Sequence, residues 1–376
     1  MSGAKISLPL LLLAAAAACL AEEPHVFQGR EAWDNPDAVT VNGKEFLLDQ
    51  AYAGGYMSRG FNYNGNLDDR TLFAIHLSQW RYGILNGWVI AFLAVAVDGQ
   101  VYVHEGRLRE MAVSMGGSRY SLSFEEGSLA GEEGESRIRL ELEGLGCDLS
   151  VSGILLPWKP GDGQAFYPSS RQSFTRLAVP SPRAAVRGWL RLGGRLVAGS
   201  GQCYADRSLH ACPLRDFSNR TLYFRAFSPV SVAPGERWML CLQVYQTRSI
   251  HGSLRMPLLL LAHGQEWVFT NRDFTTEQPD AGGEDPETCP LPHSLRVAAR
   301  CAGYELEGEF VVTRLFHVSD VEQKLPGLLR GLAAAFFKPP VLYRLQGYFR
   351  GTLRGPQGLQ EDLLLPGQGN YAVFAE

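Results

Sequence analysis

Short stretches in which apolar and polar residues alternate, each ended by turn-forming residues, recur along nearly the whole chain and commit it to β-structure. The clearest spans 137–143, where Ile138, Leu140 and Leu142 share one face and charged side chains share the other. A strand built on it has one face in water and one against a core or cavity. Similar runs cover 149–156, 186–192, 221–227, 238–245, 295–301, 304–312, 343–350 and 371–374. Asn42-Gly43 between 39–41 and 44–46, and Gly193-Gly194 between 189–192 and 195–197, predict hairpins, because such pairs supply the positive φ angles of a tight turn. The 41 glycines and 21 prolines among 376 residues, beside 14 tyrosines and 19 phenylalanines, fit the same reading.

After the first segment, only 326–337 predicts a helix. Pro326 is tolerated in its first turn, Leu328, Leu329, Leu332 and Phe336 fall on one face, and Pro339-Pro340 ends it. The pattern is that of a packing helix. Asp280, Gly282, Gly283 and Asp285 make 273–293 a polar loop or hairpin tip. Pro180 and Pro182 place a domain boundary between about 175 and 184, dividing the chain into 22–178 and 179–376. Many antiparallel strands leave a sandwich or a barrel, and a barrel removes sheet edges while offering room for a ligand. The expected fold class is all-β: two antiparallel β-barrel domains packed side by side, with a short helix near the C-terminus.

Lys5 followed by the apolar run 6–18, small residues, and Glu22-Glu23 reads as a secretory signal peptide over 1–21, too short to span a bilayer as a mature helix. Cleavage after Ala21 and lipid attachment at Cys19, behind Ala16-Ala17-Ala18, both fit. The protein is therefore expected outside the cytoplasm, periplasmic or secreted, or held at a membrane by a lipid anchor. Six cysteines remain, and an exported chain permits disulfides; Cys203 with Cys212 and Cys289 with Cys301 are the local pairs, with buried free thiols the alternative. No spacing suits a metal. A net charge of −4, from 35 Lys+Arg and 39 Asp+Glu with no basic run, argues against a nucleic-acid partner. Nucleophile elbows, zinc-protease motifs and phosphate loops are absent from the sequence, so neither metal nor nucleotide cofactor is expected.

The most informative stretch is 199–214, followed by an aromatic run at 222–227. A glycine-rich strand end delivers Tyr204, Asp206 and His210, and Pro213 precedes the next strand, so polar groups converge where a barrel mouth could lie. Gly201, Tyr204 and Asp206 fill a G-x-x-Y-x-D spacing that resembles the signature of the lipocalin-like carotenoid 1,2-hydratase (CrtC)/AttH superfamily. Fungal decalin-forming pericyclases and yeast survival-factor ceramide-binding proteins look like relatives of the same design. Asn64 to Leu67 followed by 70–77 and Trp80-Arg81 is similar to the family's early turn and strand. Val179-Pro180 with 186–188 resembles the entry to the second barrel, and 343–347 its late strand.

This resemblance implies two lipocalin-like barrels and a hydrophobic small molecule or lipid as partner. It puts Asp206 in the acid position, with His210 or Tyr204 in support, and makes Trp80, Arg81, Trp189, Tyr223, Phe224 and Arg225 candidates for the ligand lining. Departures are local. Arg207, Ser208 and Leu209 replace the polar and glycine residues that usually follow the Asp, and Leu222 and Phe224 stand where tryptophan is expected. An acid that protonates a polyene must stay neutral, whereas a neighbouring arginine would favour the carboxylate if the side chains met. Asp206 could equally hold a turn, or pair with Arg207 or Arg225, and the aromatics could be plain barrel core.

Three functions remain open. The first is a carrier of an apolar ligand in or between the barrels; the second is a hydratase, cyclase or isomerase of the same architecture. The third is an envelope assembly factor that uses an outer apolar patch. Asn219-Arg-Thr221 is also a glycosylation sequon.

Overall fold

Pairing is antiparallel in every ladder of the structure, a computed structural model that describes residues 25–39, 41, 56–81, 88–116, 119–132, 134–167, 170–212, 217–278, 291–320 and 341–374. The chain first builds β1 (His25–Val26), β2 (Met57–Asp68), β3 (Thr71–Arg81), β4 (Trp88–Val97), β5 (Gln100–Gly116) and β6 (Arg119–Phe124). There follow β7 (Gly127–Glu132), β8 (Glu135–Leu142), β9 (Leu145–Gly153), β10 (Gln164–Tyr167), β11 (Ser170–Leu192) and β12 (Arg195–His210). β11 pairs with β12 on one side and with β9 on the other, so β2 to β9 close with β11 and β12 into a barrel of ten strands. β10 and β1 extend the free upper half of β11.

The second sheet holds β13 (Ser218–Phe227), β14 (Trp238–Thr247), β15 (Arg255–His263), β16 (Glu266–Asn271) and β17 (Phe274–Glu277). It is completed by β18 (Ser294–Cys301), β19 (Tyr304–Asp320), β20 (Val341–Arg354) and β21 (Gln360–Val373). Its order, β16-β15-β14-β13-β21-β20-β19-β18-β17, nearly closes on itself. Asn271 Nδ2 donates to Arg300 O at 3.4 Å, and Cys301 Sγ donates to Thr270 O at 3.5 Å, across the seam. The fold is thus all-β, two lipocalin-like barrels.

Alternation decides what each barrel encloses. Ile138, Leu140 and Leu142 point inward with Phe73, Val95 and Leu190, and Arg137 and Arg139 stay outside on Asp148. The second barrel is filled by Leu242, Leu261, Phe310 and Phe349 among others. Each such side chain contributes roughly 1.5–3 kcal/mol of burial. A third cluster, including Trp33, Trp158, Phe217, Met239 and Leu258, packs between the barrels. Hydrogen bonds pin them together: Arg183 Nη1 to Arg237 O and Gln202 Nε2 to Ser228 O, both 2.8 Å, and Arg314 Nη1 to Gly99 O at 2.8 Å.

The hairpin at Gly193-Gly194 forms with Leu192 opposite Arg195 and Gly193 at φ 61°. Other expectations change. β11 runs unbroken through 175–184, and the chain passes from one sheet to the other between His210 and Ser218, because bulges at Ala178/Ser181 and Ser181/Ala184 absorb the prolines without ending the strand. Cys203 and Cys301 are free thiols, so neither local disulfide forms. Cys203 points into the first core, whereas Cys212 belongs to the cluster between the barrels. Residues 274–277, at the start of the stretch read as a polar loop or hairpin tip, form a strand that pairs with β18. Asn64 to Leu67 lies inside β2, and the turn comes at Asp69-Arg70. A single helical turn, α1 (Glu31–Asp34), appears where the sequence predicts none. The sequon Asn219 lies within β13. The signal segment with Cys19, the Asn42-Gly43 hairpin, Pro213, Cys289 and the helix at 326–337 fall outside the described residues.

Candidate functional site between the barrels

Strand β12 is buried on both faces from Gly201 to His210, because the first barrel lies on one side and the second on the other. Gly201 permits the close approach to β2: a Cβ there would sit 2.0 Å from Asn66 O. Cys203, Ala205 and Arg207 then face the first barrel's interior, and Tyr204, Asp206, Ser208 and His210 face the second barrel. Cross-strand register extends this outer face into rows. Asp206 lies opposite Asn62, which lies opposite His76; His210 lies opposite Ser58, which lies opposite Trp80. From the second barrel, β13 and β14 contribute Tyr223, Arg225, Gln243 and Tyr245, while Leu222, Phe224 and Ala226 turn into its core.

At the centre is a buried ion pair. Arg225 Nη2 donates to Asp206 Oδ2 at 2.7 Å, and Asn62 Nδ2 donates to Oδ1 at 2.6 Å. His76 Nδ1 lies 2.5 Å from Asn62 Oδ1, which completes a chain His76–Asn62–Asp206–Arg225. The Arg225 guanidinium is sandwiched at 4.9 Å from the Tyr204 ring and 5.0 Å from the Tyr223 ring. Tyr223 and Tyr245 join their hydroxyls. His210 Nδ1 lies 3.1 Å from Thr175 Oγ1, with its ring edge-on to Tyr245. On the far side Arg344 stacks 4.1 Å above Phe92, and His317 Nε2 meets Glu105 Oε2 at 2.9 Å.

Burial sets the protonation of this layer. Loss of solvent, and then the Arg344 charge, pushes His76 down to about 3, and burial alone pushes His210 down to about 4, so both are neutral imidazoles at pH 7. Burial likewise holds the phenols of Tyr204 and Tyr223 well above the usual range and pushes the Cys241 thiol up to about 11. Desolvation lowers Arg344 to about 10. Arg225 Nε, Arg344 Nε and Gln243 Oε1 are buried without a hydrogen-bond partner among the described residues.

Tyr204, Asp206, His210, Tyr223 and Arg225 are therefore brought into one layer. Of the two arginines considered as partners for Asp206, Arg225 makes the pair and Arg207 turns away, since consecutive residues of a strand face opposite sides. Trp80 shares the face at the end of β3, where its Nε1 donates to Ser78 Oγ at 2.7 Å. Three candidates leave the site. Phe224 lies in the second core, 3.7 Å from Phe310 ring to ring; Arg81 is exposed at a strand end; Trp189 is opposite Ala198, far down β12 from Asp206. Asn62, His76, Gln243, Tyr245 and Arg344 were not singled out by sequence. The regular spacing of Asn62, Asn64 and Asn66 between Phe61, Tyr63 and Leu67 was the available signal, a strand whose polar face is uncharged. Among the described residues no cluster of three His, Cys, Asp or Glu side chains is placed to hold a metal.

The closed ten-stranded barrel and the nearly closed nine-stranded one give the chain a lipocalin-like double-barrel fold, which it shares with solved structures of CghA and an AttH-type protein. The solved structure of CghA with Sch210972 matches with a TM-score of 0.61 at 11% identity, over 85% of this chain and 89% of that one. CghA alone gives 0.59 at 12% identity, over 91% and 95%. An AttH-type protein from Nitrosomonas europaea gives 0.58 at 12% identity, over 88% and 96%. Identities this low establish a shared fold. No protein-family model matches the chain, and no curated protein matches it by sequence.

Proposed function

We propose that the protein binds an apolar small molecule, such as a lipid, isoprenoid or polyketide, in the layer between its barrels. One observation carries this reading: Arg225 Nε, Arg344 Nε and Gln243 Oε1 are buried, without a hydrogen-bond partner among the described residues, beside the rings of Tyr204, Tyr223 and Tyr245. A ligand with an apolar body and one or two acceptor or donor atoms would satisfy those groups and lie against the rings, gaining about 25 cal/mol per Å² of apolar surface buried. CghA, of the same fold, was solved with Sch210972, which makes a small molecule a reasonable occupant of such a scaffold.

Binding is favoured over acid catalysis by the surroundings of Asp206. Both of its oxygens already accept hydrogen bonds within the protein, one from Arg225 and one from the Asn62 amide. In an enzyme of this design Asp206 would serve by fixing Arg225 toward a developing negative charge. The proposal includes export, with 1–21 removed after Ala21 or with a lipid on Cys19.

Organic extraction and mass spectrometry of protein gently purified from its native host test the reading. A near-stoichiometric apolar molecule is expected; repeated recovery of empty protein overturns it. Nile red, a neutral apolar dye, should bind the full chain and lose about tenfold in affinity in Tyr223→Ala, and unchanged affinity would place the ligand elsewhere.

A further inference from the structure

Arg207 lies on the opposite face of β12 from Asp206, at one end of the first barrel, and is among the largest fully buried side chains of the molecule. The rings of Phe61, Tyr63 and Tyr120 surround its guanidinium carbon at 5.0, 4.7 and 5.7 Å. Nη1 donates to the backbone oxygen of Asp206 at 3.0 Å, and Nη2 donates to the phenol oxygens of Tyr63 and, at 2.9 Å, Tyr120. Nε is buried with no hydrogen-bond partner, and among the described residues no carboxylate pairs with this arginine.

No carboxylate of the described residues neutralises the charge. A guanidinium keeps its proton at any pH the fold survives, and burial raises the Tyr63 phenol far above its ordinary range, so it stays neutral. An uncompensated ion in a barrel interior is costly. An opening reaches one of its phenol partners, Tyr120. Tyr120 and Ser136, the serine that also hydrogen-bonds Tyr63, line a pocket of about 670 Å³ at this rim, bounded by β5 to β9. Two of the arginines on the rim are matched, Arg119 by Glu132 and Arg137 by Asp148, and Glu135 adds a further negative charge.

We propose that this end of the first barrel is a binding site for a monocarboxylate, with Arg207 as its cation and the Tyr120 hydroxyl as a further donor. Tyr63 shares its hydroxyl with Tyr120 and Ser136, and the Tyr120 phenol, which accepts from Nη2 through a lone pair, keeps its own O–H for an anion. One positive charge among neutral donors matches a monoanion; a phosphate dianion would leave a buried charge of opposite sign. With Nη2 spent on the two phenols, Nε supplies a single charge-assisted hydrogen bond to the carboxylate. Beyond Arg207 the core is filled by Leu77, Leu122 and their neighbours, so any chain attached to the carboxylate runs outward past Tyr120 into the pocket. The site is separate from the layer between the barrels and does not depend on that reading.

Titration calorimetry of the full chain with hexanoate and with 1-hexanol separates charge recognition from apolar contact. Hexanoate is expected to bind at least about tenfold more tightly than the alcohol. Tyr120→Phe should weaken hexanoate several-fold and leave hexanol unchanged, and Arg207→Met should erase the preference for the acid while Nile red binding persists. Equal affinity for acid and alcohol, absence of saturable hexanoate binding, or a hexanoate affinity unchanged by Tyr120→Phe overturns the proposal. These outcomes decide it even if Arg207→Met fails to fold.

Discussion

Asp206 and Arg207 are adjacent on one strand, equally buried, and treated oppositely by the structure. Asp206 faces the second barrel and finds there a guanidinium at 2.7 Å and an amide at 2.6 Å. Arg207 faces the first barrel's interior and finds three aromatic rings and two phenols, with no opposite charge among the described residues. The strand's alternation separates two neighbouring charges onto two surfaces whose chemistry is set by different parts of the chain. An inner charge completed by the fold holds the fold together; one left incomplete is available for something that arrives later.

The largest test of this contrast is thermodynamic. Asp206→Ala should cost about 3–5 kcal/mol in urea denaturation, because it strands Arg225 as a buried unpaired cation, and Asp206→Ala with Arg225→Met should recover most of that loss. A double variant that loses the sum of the single effects would show that the pair does not carry the layer. Arg207→Met, by contrast, should stay within about 1 kcal/mol of the parent when no carboxylate is added, since it removes a charge that nothing neutralises.

The next effect is pH. His76 and His210 have folded pKa values near 3 and 4 against about 6.5 in the unfolded chain, so the unfolded state takes up protons first as the solution is acidified. Their contribution is complete above about pH 6.5 and is lost as pH falls toward 4 for His210 and toward 3 for His76, the loss being about 2 kcal/mol for each histidine at pH 5. Urea midpoints at pH 7 and pH 5 measure it, and His76→Gln should flatten the slope. An unchanged slope would mean that His76 is not the neutral end of the chain to Asp206. Smallest of all, Tyr223→Phe removes the hydroxyl contact with Tyr245 and should cost about 1 kcal/mol, read as a small drop in thermal midpoint.

Much of the fold was legible. Segment 137–143 became β8 with the inward face read from its three apolar residues, and Gly193-Gly194 became the β11–β12 turn. The boundary near Pro180 and Pro182 was misplaced because a bulged strand passes through prolines that would end a regular one. In the site, Tyr204, Asp206, His210 and Arg225 stood out by type and spacing. His76 and Arg344 did not, since each is polar in an unremarkable strand and is drawn in only by packing from elsewhere.

Local pattern by itself determined that this chain is all-β, where several of its hairpins turn, and that Asp206 and Arg207 must face opposite ways, because period-two alternation is a property of neighbouring residues. Only the tertiary structure decided which arginine meets Asp206 and which finds no carboxylate among the described residues. Those outcomes depend on β13 and β20 of one barrel docking against β12 and β4 of the other, and the residues involved lie too far apart in sequence for their meeting to leave a local trace.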